Sequence, residues 1–197
     1  MVFNTFETII TEILENGYAI IDDFINPQLV KELNRDLEIR KSSGQFNKAG
    51  IGNLTKVIDE GQRGDFINWI ENEPTGPLKE YLLQLEEFRN YLNQTCYLGL
   101  STAEIHFASY PAGSFYKKHL DSFQNSNKRR ISIITYLNTD WTDADAGELV
   151  IYKNDAAVKV LPTGGRMVCF ESEKILHEVL PGRKERRSLT GWFLTYQ

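Results

Sequence analysis

The sequence predicts an α+β fold in which helices fill the first half of the chain and an antiparallel β sandwich or barrel fills the second. Apolar residues recur at helical spacing up to about residue 100, and short apolar runs separated by turn motifs such as PAG, KND and PTGG follow. A chain of 197 residues can bury one sizeable core, and no repeat divides it. We therefore expect one domain over residues 1–197, mainly helical at 1–100 and with the β core at 101–197.

Three amphipathic helices are expected in the first half. The first covers residues 4–16, and a short strand, YAIID, follows it. Asn26 and Pro27 begin the second helix, as an N-cap and a first-turn proline, and Pro77 begins the third. The segment 42–65 is rich in Gly, Asn and Lys and is too long for a passive connection, so we expect a functional loop there.

Seven runs in the second half have the length and composition of strands: AEIHFASY, RISIITYLN, ELVIY, AVKVL, RMVCF, HEVL and SLTGWFLTY. Their regular spacing, with Gly and Pro turns between them, favours antiparallel hairpins over βαβ units. We expect a core of seven or eight strands.

The composition narrows the classes of function. The net charge of −5 argues against nucleic acid as the main partner, because phosphate contacts need an excess of Lys and Arg. Cys96 and Cys169 lie far apart and outside any CxxC motif, so we expect reduced thiols and a cytoplasmic setting. The first residues lack the pattern of an export signal, and no apolar stretch approaches the roughly 20 residues of a membrane span, so we expect no membrane partner.

A pattern of the metal-ligand type lies in FYKKHLDSF, residues 115–123. If this run is a strand, His119 and Asp121 point to the same side and present an imidazole and a carboxylate together. His177, in KILHEVLPG, is the best third ligand, and the set would be the 2-His-1-carboxylate triad that binds Fe(II) on one face. Taken alone, a strand histidine is more often a hydrogen-bonded structural residue, and Zn²⁺ could use the same three ligands.

A second group of residues indicates an anion site beside the triad. Arg186 and Ser188 share one face of a strand, and a buried guanidinium is costly unless it meets an anion such as a carboxylate. Tyr136 and Tyr110 could face the same pocket, although core packing explains each of them singly. Together these residues describe a pocket for a small dicarboxylate. Arg187 is expected on the opposite face of the strand.

Several motifs, in a fixed order, resemble those of the Fe(II)/2-oxoglutarate-dependent dioxygenases. They are YPAGxFYxxHxD, RxSIITYLNxDW, GELVIY, HEVLP and RRSLTGWF, and they are most similar to the prolyl 4-hydroxylase branch. The stretch QRGDFINWIE at 62–71 is also similar to a segment of the hypoxia-sensing prolyl hydroxylases and their bacterial relatives. The resemblance covers roughly residues 60–197.

The resemblance implies a double-stranded β-helix (jelly-roll) core with the N-terminal helices packed on the outside of the sheet. It implies that His119, Asp121 and His177 are the catalytic ligands of Fe(II). It also implies 2-oxoglutarate and O2 as co-substrates, with ascorbate as a reductant.

Four further residues are expected to bind 2-oxoglutarate if the resemblance holds. Arg186 matches the arginine that pairs with the C5 carboxylate, and Tyr136 matches the tyrosine that hydrogen-bonds the same group. Tyr110 matches the tyrosine over the co-substrate, and Ser188 shares the strand face of Arg186.

The resemblance further implies hydroxylation of a prolyl residue, at C4, in a protein or peptide, with succinate and CO2 as co-products. The segment 42–65 could fold over such a polypeptide. Two alternatives stay open: a hydroxylase of a free amino acid or small metabolite, and a catalytically silent sensor that binds iron or 2-oxoglutarate.

His106 and one basic run have two interpretations each. His106 shares strand parity with Tyr110, so it either lines the pocket or is a strand histidine bonded to backbone or solvent. The run Lys128-Arg129-Arg130 is expected to be a solvated turn, although Arg129 could shape a substrate entrance.

Overall fold

The structure is a computed structural model that describes residues 2–50, 59–71, 73–122, 129–154 and 156–195. Within these residues the chain forms three α-helices, all before the first long strand. They are α1 (Val2–Asn16), α2 (Pro27–Ser42) and α3 (Gly76–Cys96). None of the helices in the described ranges is long and apolar enough to cross a lipid bilayer.

Eleven strands lie in the described ranges, and they form two antiparallel sheets. In chain order they are β1 (Tyr18–Ile21), β2 (Asn47–Lys48), β3 (Phe66–Trp69), β4 (Leu100–Tyr110), β5 (Tyr116–His119), β6 (Arg129–Tyr136), β7 (Leu149–Lys153), β8 (Ala156–Val160), β9 (Met167–Glu171), β10 (Leu176–Val179) and β11 (Arg186–Thr195). The larger sheet has the order β1-β9-β6-β11-β4-β3-β2, and the smaller has the order β5-β10-β7-β8. This arrangement is the predicted double-stranded β-helix, with eight strands in the second half of the chain.

The larger sheet is buried on both faces. One face packs on the helices, where Phe6, Leu33 and Leu85 join Phe107 and Phe193 in one apolar cluster. The opposite face meets the smaller sheet in a second cluster, to which both sheets contribute side chains. The N-terminal helices therefore pack on the outside of the larger sheet, as predicted.

The predicted start of α2 is confirmed in detail. The Oδ1 atom of Asn26 accepts a 2.9 Å hydrogen bond from the backbone N–H of Leu29, and Pro27 occupies the first turn, where its missing N–H costs nothing. The helix ends at Ser42, after which the N–H of Ser43 donates to the carbonyl of Ile39 and that of Gly44 donates to the carbonyl of Lys41.

The segment 42–65 and its continuation differ from the expectation of a loop. Residues Asn47–Lys48 and Phe66–Trp69 form β2 and β3, which extend the larger sheet beyond β4. Pairing of β3 with the distant β4, and of β2 with β3, creates these two strands, rather than alternation within the segment. Residues 51–58 of the expected loop lie outside the described residues.

Candidate active site

Three side chains of metal-ligand type meet between β5 and β10. His119 and His177 are directly opposite each other in the register of these two strands. The Nε2 atoms of the two histidines lie 3.4 Å and 3.7 Å from Oδ1 of Asp121. One ligand atom from each residue falls within 4.8 Å of the others, so all three could contact a single ion. The structure thus brings the predicted triad together.

The strand argument for this triad was only partly right. β5 ends at His119, and Asp121 follows in a bend rather than on the strand. Asp121 reaches the two histidines from this bend, not from a strand that continues through it.

Both histidines are oriented by the backbone two residues earlier. The Nδ1 atom of His119 lies 2.8 Å from the carbonyl of Lys117, and that of His177 lies 3.0 Å from the carbonyl of Ile175. Because a carbonyl can only accept, each Nδ1 donates and each Nε2 keeps a free lone pair. These lone pairs belong to the nitrogen atoms that face Asp121, as metal binding requires.

The charges of the cluster suit a divalent cation. Burial raises the pKa of the Asp121 carboxyl, but the neighbouring His177 and His119 and a hydrogen bond from Ser132 outweigh burial and hold this pKa well below its usual range. Burial lowers the pKa of His177, so its imidazole is neutral at neutral pH. One carboxylate and neutral imidazole form a donor set that Fe(II) accepts.

Arg186 is a buried cation beside this cluster. Its residue surface is only 3% exposed, and its guanidinium lies 5.0 Å from the ring centroids of both Tyr110 and Tyr136. The Nη2 atom reaches the Tyr136 hydroxyl at 3.4 Å, whereas Nε has no hydrogen-bond partner. No carboxylate of the described residues forms an ion pair with Arg186. A buried guanidinium in this condition is suited to bind an anion, because an anionic partner offsets the cost of its burial.

The remaining predicted residues line the same face of the larger sheet. Tyr110 is paired with Arg186, and Tyr136 with Ser188, in the strand registers. Burial raises the pKa of both tyrosines, which keeps their hydroxyls protonated as donors. Ser188 is fully buried, and its hydroxyl lies 2.9 Å from that of Thr190.

Arg187 points to the opposite face, as predicted. It pairs with Glu38 and, at 2.6 Å, with Glu185. Its charge is therefore satisfied by carboxylates, whereas that of Arg186 is not. This contrast identifies Arg186 as the residue available to a ligand.

Sequence reasoning missed a stack that supports His119. The ring of Tyr116 stacks on the His119 imidazole, with centroids 3.5 Å apart, and the Arg63 guanidinium lies 4.2 Å from the Tyr116 centroid. Asp65, which is 2% exposed, accepts two hydrogen bonds from Arg63, at 2.7 Å and 2.6 Å. The Arg-Gly-Asp run was a visible signal, but nothing local pairs it with Tyr116.

His106 is buried in an aromatic cluster, and its two interpretations stay predictions. It is 3% exposed, its Nδ1 atom has no hydrogen-bond partner, and its ring lies 4.6 Å and 5.6 Å from the ring centroids of Trp69 and Trp192. Burial, with help from Arg63 and Arg129, lowers the pKa of His106 to about 3. The imidazole is therefore a neutral member of an aromatic cluster.

The expectation of a solvated basic turn was wrong for Arg129. This residue begins β6, its guanidinium lies 3.5 Å from the ring centroid of Trp192, and Glu104 pairs with it at 3.5 Å. Lys128 lies outside the described residues.

Comparison with known proteins gives a consistent result. A family model described as the 2OG-Fe(II) oxygenase superfamily matches residues 105–194. A prolyl-4-hydroxylase from Pseudomonas putida is 34% identical, with a TM-score of 0.89 over 98% of this chain and 100% of that one. A Trichoplax adhaerens prolyl hydroxylase, solved with a peptide fragment of the hypoxia-inducible factor oxygen degradation domain, is 25% identical, with a TM-score of 0.84 over 98% of this chain and 90% of that one.

A curated relative agrees over a similar range. The hypoxia-inducible factor prolyl hydroxylase of Caenorhabditis elegans is 26% identical over 206 residues, which cover 95% of this chain and 28% of that protein. The chain thus spans about a quarter of the length of the curated relatives it matches.

Proposed function

Because the chain belongs to the 2OG-Fe(II) oxygenase superfamily and to its prolyl hydroxylase branch, we propose that it hydroxylates a prolyl residue, at C4, in a protein or peptide. The observation that carries this proposal is the convergence of His119, Asp121 and His177 beside the unpaired guanidinium of Arg186. The match to the Pseudomonas enzyme over its full length supports C4, and the peptide complex of the Trichoplax enzyme supports a polypeptide substrate.

The triad would hold Fe(II) through the two Nε2 atoms and the Asp121 carboxylate. Three protein ligands on one face leave the remaining positions to the co-substrates. When bound, Fe(II) would enable O2 to oxidise 2-oxoglutarate to succinate and CO2 and to convert a substrate C–H bond to C–OH, with one oxygen atom of O2 going to succinate and the other to the new hydroxyl group. The chain's own contribution is to orient the reactants and to exclude water.

Arg186 would bind the carboxylate of 2-oxoglutarate that lies farther from the metal. The Tyr136 hydroxyl, 3.4 Å from Nη2, is placed to donate to the same carboxylate, and Tyr110 covers the guanidinium from the other side. Ser188, on the same strand face, completes the wall of this pocket. A planar donor with a buried, unsatisfied Nε is well suited to a carboxylate.

The proposal also covers the domain, the cellular compartment and the reductant of the activity. We assign the activity to one domain over residues 1–197 and to the cytoplasm, with ascorbate as the reductant that maintains Fe(II). The two free cysteines, of which Cys169 is buried, support a reducing compartment.

The experiment that tests the proposal combines binding and turnover. Anaerobic protein with Fe(II) and 2-oxoglutarate should develop the weak visible absorption of a metal–keto-acid chelate. Aerobic incubation with proline-containing proteins should then yield succinate and peptides one oxygen atom heavier at proline. His119→Ala serves as the inactive control.

The outcomes separate the open alternatives. Turnover of free proline without any modified polypeptide would favour the small-molecule hydroxylase. The chelate without succinate or any hydroxylated product would favour the silent sensor. Well-folded protein that forms no chelate would exclude the proposed reaction.

A further inference from the structure

Two buried serines hold the Asp121 carboxylate on the side away from the histidines. Its Oδ1 faces the two Nε2 atoms, whereas its Oδ2 lies 2.7 Å from the hydroxyl of Ser132 on β6. The Ser132 hydroxyl lies 2.8 Å from that of Ser172, which directly follows β9. Ser132 is 1% exposed and Ser172 is 0% exposed, so water does not compete for these contacts.

The direction of the two hydrogen bonds follows from the number of protons. An ionised carboxylate can only accept, so Ser132 must donate its single hydroxyl proton to Asp121. Ser132 can then only accept from Ser172, whose hydroxyl becomes the donor. The result is a relay of two hydroxyls, from Ser172 to Ser132, that ends on the carboxylate oxygen of Asp121.

Ser172 is tied to the surrounding backbone by two hydrogen bonds. Its N–H donates to the carbonyl of Arg130 at 3.1 Å, and its carbonyl accepts from the N–H of Ser122, next to Asp121, at 3.3 Å. The same turn carries Ile175, whose carbonyl orients His177. One turn between β9 and β10 therefore helps to position two of the three triad residues, Asp121 and His177.

On the basis of the proposed function, we propose that Ser132 and Ser172 are positioning residues that keep Asp121 bound to the metal through one oxygen only. While Ser132 holds Oδ2, that oxygen is not free to turn toward the metal, and Oδ1 stays aimed at it. Without the relay, Oδ2 loses its buried donor and Asp121 can rotate or bind with both oxygens, which weakens metal retention and consumes a position needed by the co-substrates.

The test is metal affinity, measured without turnover. Metal-free protein is titrated with Mn(II) and the free ion is followed by electron paramagnetic resonance. Ser132→Ala should bind Mn(II) about 10–100-fold more weakly than wild type, the usual effect of removing a hydrogen-bond partner of a metal ligand. Ser172→Ala should lose less, because Ser132 can still donate to Asp121.

Ser109→Ala is the matched control. Ser109 is a strand serine with 1% exposure whose hydroxyl bonds a carboxylate, that of Glu185, outside the site. The Ser109→Ala variant should leave Mn(II) affinity unchanged. Its thermal unfolding without metal should show how much stability is lost when a buried hydroxyl is deleted. Ser132→Thr keeps the hydroxyl and should restore affinity.

The two proposals fail differently. Wild-type protein that binds neither Mn(II) nor 2-oxoglutarate would overturn the proposed function. Wild-type binding with equal affinity in Ser132→Ala would overturn the relay alone. If Ser132→Ala does not fold, Ser172→Ala decides, and an affinity equal to wild type for that variant would refute the inference.

Discussion

Arg186 shows at the residue scale how one side chain can be unfavourable for the free protein and necessary for a ligand. The guanidinium is buried between two tyrosine rings without an anionic partner among the described residues. A hydrophobic replacement of similar length removes a buried charge, so it costs little or even stabilises the fold. Binding energy for a dicarboxylate is lost at the same time.

We therefore expect Arg186→Met to leave the melting temperature of ligand-free protein unchanged or higher. The same variant should raise the KM for 2-oxoglutarate about 30-fold or more, since each hydrogen bond to a charged group contributes roughly 1.5–3 kcal/mol. Thermal unfolding and steady-state succinate assays measure the two effects.

Arg187→Met is the control for this prediction. It should unpair Glu38 and Glu185 without changing the KM for 2-oxoglutarate. A higher KM in Arg187→Met than in Arg186→Met would mean that Arg187, and not Arg186, binds 2-oxoglutarate. A large loss of stability in ligand-free Arg186→Met would indicate a structural role instead.

His106 makes a pH-dependent contribution to stability. Its pKa is about 3 in the fold, against 6.5 as the ordinary value, so below pH 6.5 only the unfolded chain binds the proton. The contribution is therefore complete above pH 6.5 and is lost as the pH falls toward 3. When the pH falls from 7.5 to 5, this one residue lowers the free energy of unfolding by roughly 2 kcal/mol.

We expect His106→Phe to reduce the acid sensitivity of metal-free protein by that amount. Denaturant unfolding at pH 7.5 and 5.0, in wild type and variant, gives the comparison. Identical losses of unfolding free energy in the two proteins would mean that the buried imidazole is not the source. The neighbouring rings of Trp69 and Trp192 can accommodate a phenyl ring, so the variant should fold.

At the scale of elements, β11 is the strand on which the site depends. It lies between β6 and β4 in the larger sheet and carries Arg186 and Ser188. Gly191 allows the close approach to β4, because a Cβ atom there would lie 2.0 Å from the carbonyl oxygen of Glu104. The obstacle is backbone, which cannot move aside as a flexible side chain can.

Gly191→Ala should therefore destabilise the protein by about 3 kcal/mol or more, at the upper end of overpacking effects. Urea unfolding measures the loss. Gly61→Ala is the control, because among the described residues, its two chain neighbours aside, only a side-chain oxygen of Asp59 lies within 4 Å of a Cβ at that position. Equal stability of both variants would contradict the close approach of β11 and β4.

The same scale explains which elements the sequence predicted well. The helices and the strands of the second half carry regular apolar spacing, and all of them are present. β2 and β3 were not predicted, because their residues are only partly buried or exposed and lack a clear period of two. β3 becomes a strand through pairing with β4, which is distant in sequence, and β2 becomes one through pairing with β3.

At the scale of the whole molecule, the site lies in the space between the two sheets. The triad comes from the smaller sheet and the bend after β5, and Arg186 comes from the larger sheet. A ligand that bridges metal and Arg186 would link the two sheets. Binding should therefore stabilise the folded protein as a unit.

We expect Mn(II) and 2-oxoglutarate together, each at a hundredfold excess over its dissociation constant, to raise the melting temperature by about 10–20 °C. Either ligand alone should give a smaller shift. Differential scanning fluorimetry of wild type and Arg186→Met provides the comparison, and the variant should retain the metal shift only. A 2-oxoglutarate shift of full size in the variant would place the co-substrate elsewhere.

By itself, the sequence determined the order of the helices and of the strands in the second half, the fold class and the identity of the candidate site residues. These features follow from local periodicity and from motifs that lie within one or two strands. The tertiary structure alone decided that Arg186 lacks a carboxylate partner, that Tyr116 stacks on His119, and that Ser172 and Ser132 support Asp121. Such contacts join residues far apart in the chain, so only the register and packing of the two sheets bring them within hydrogen-bond distance.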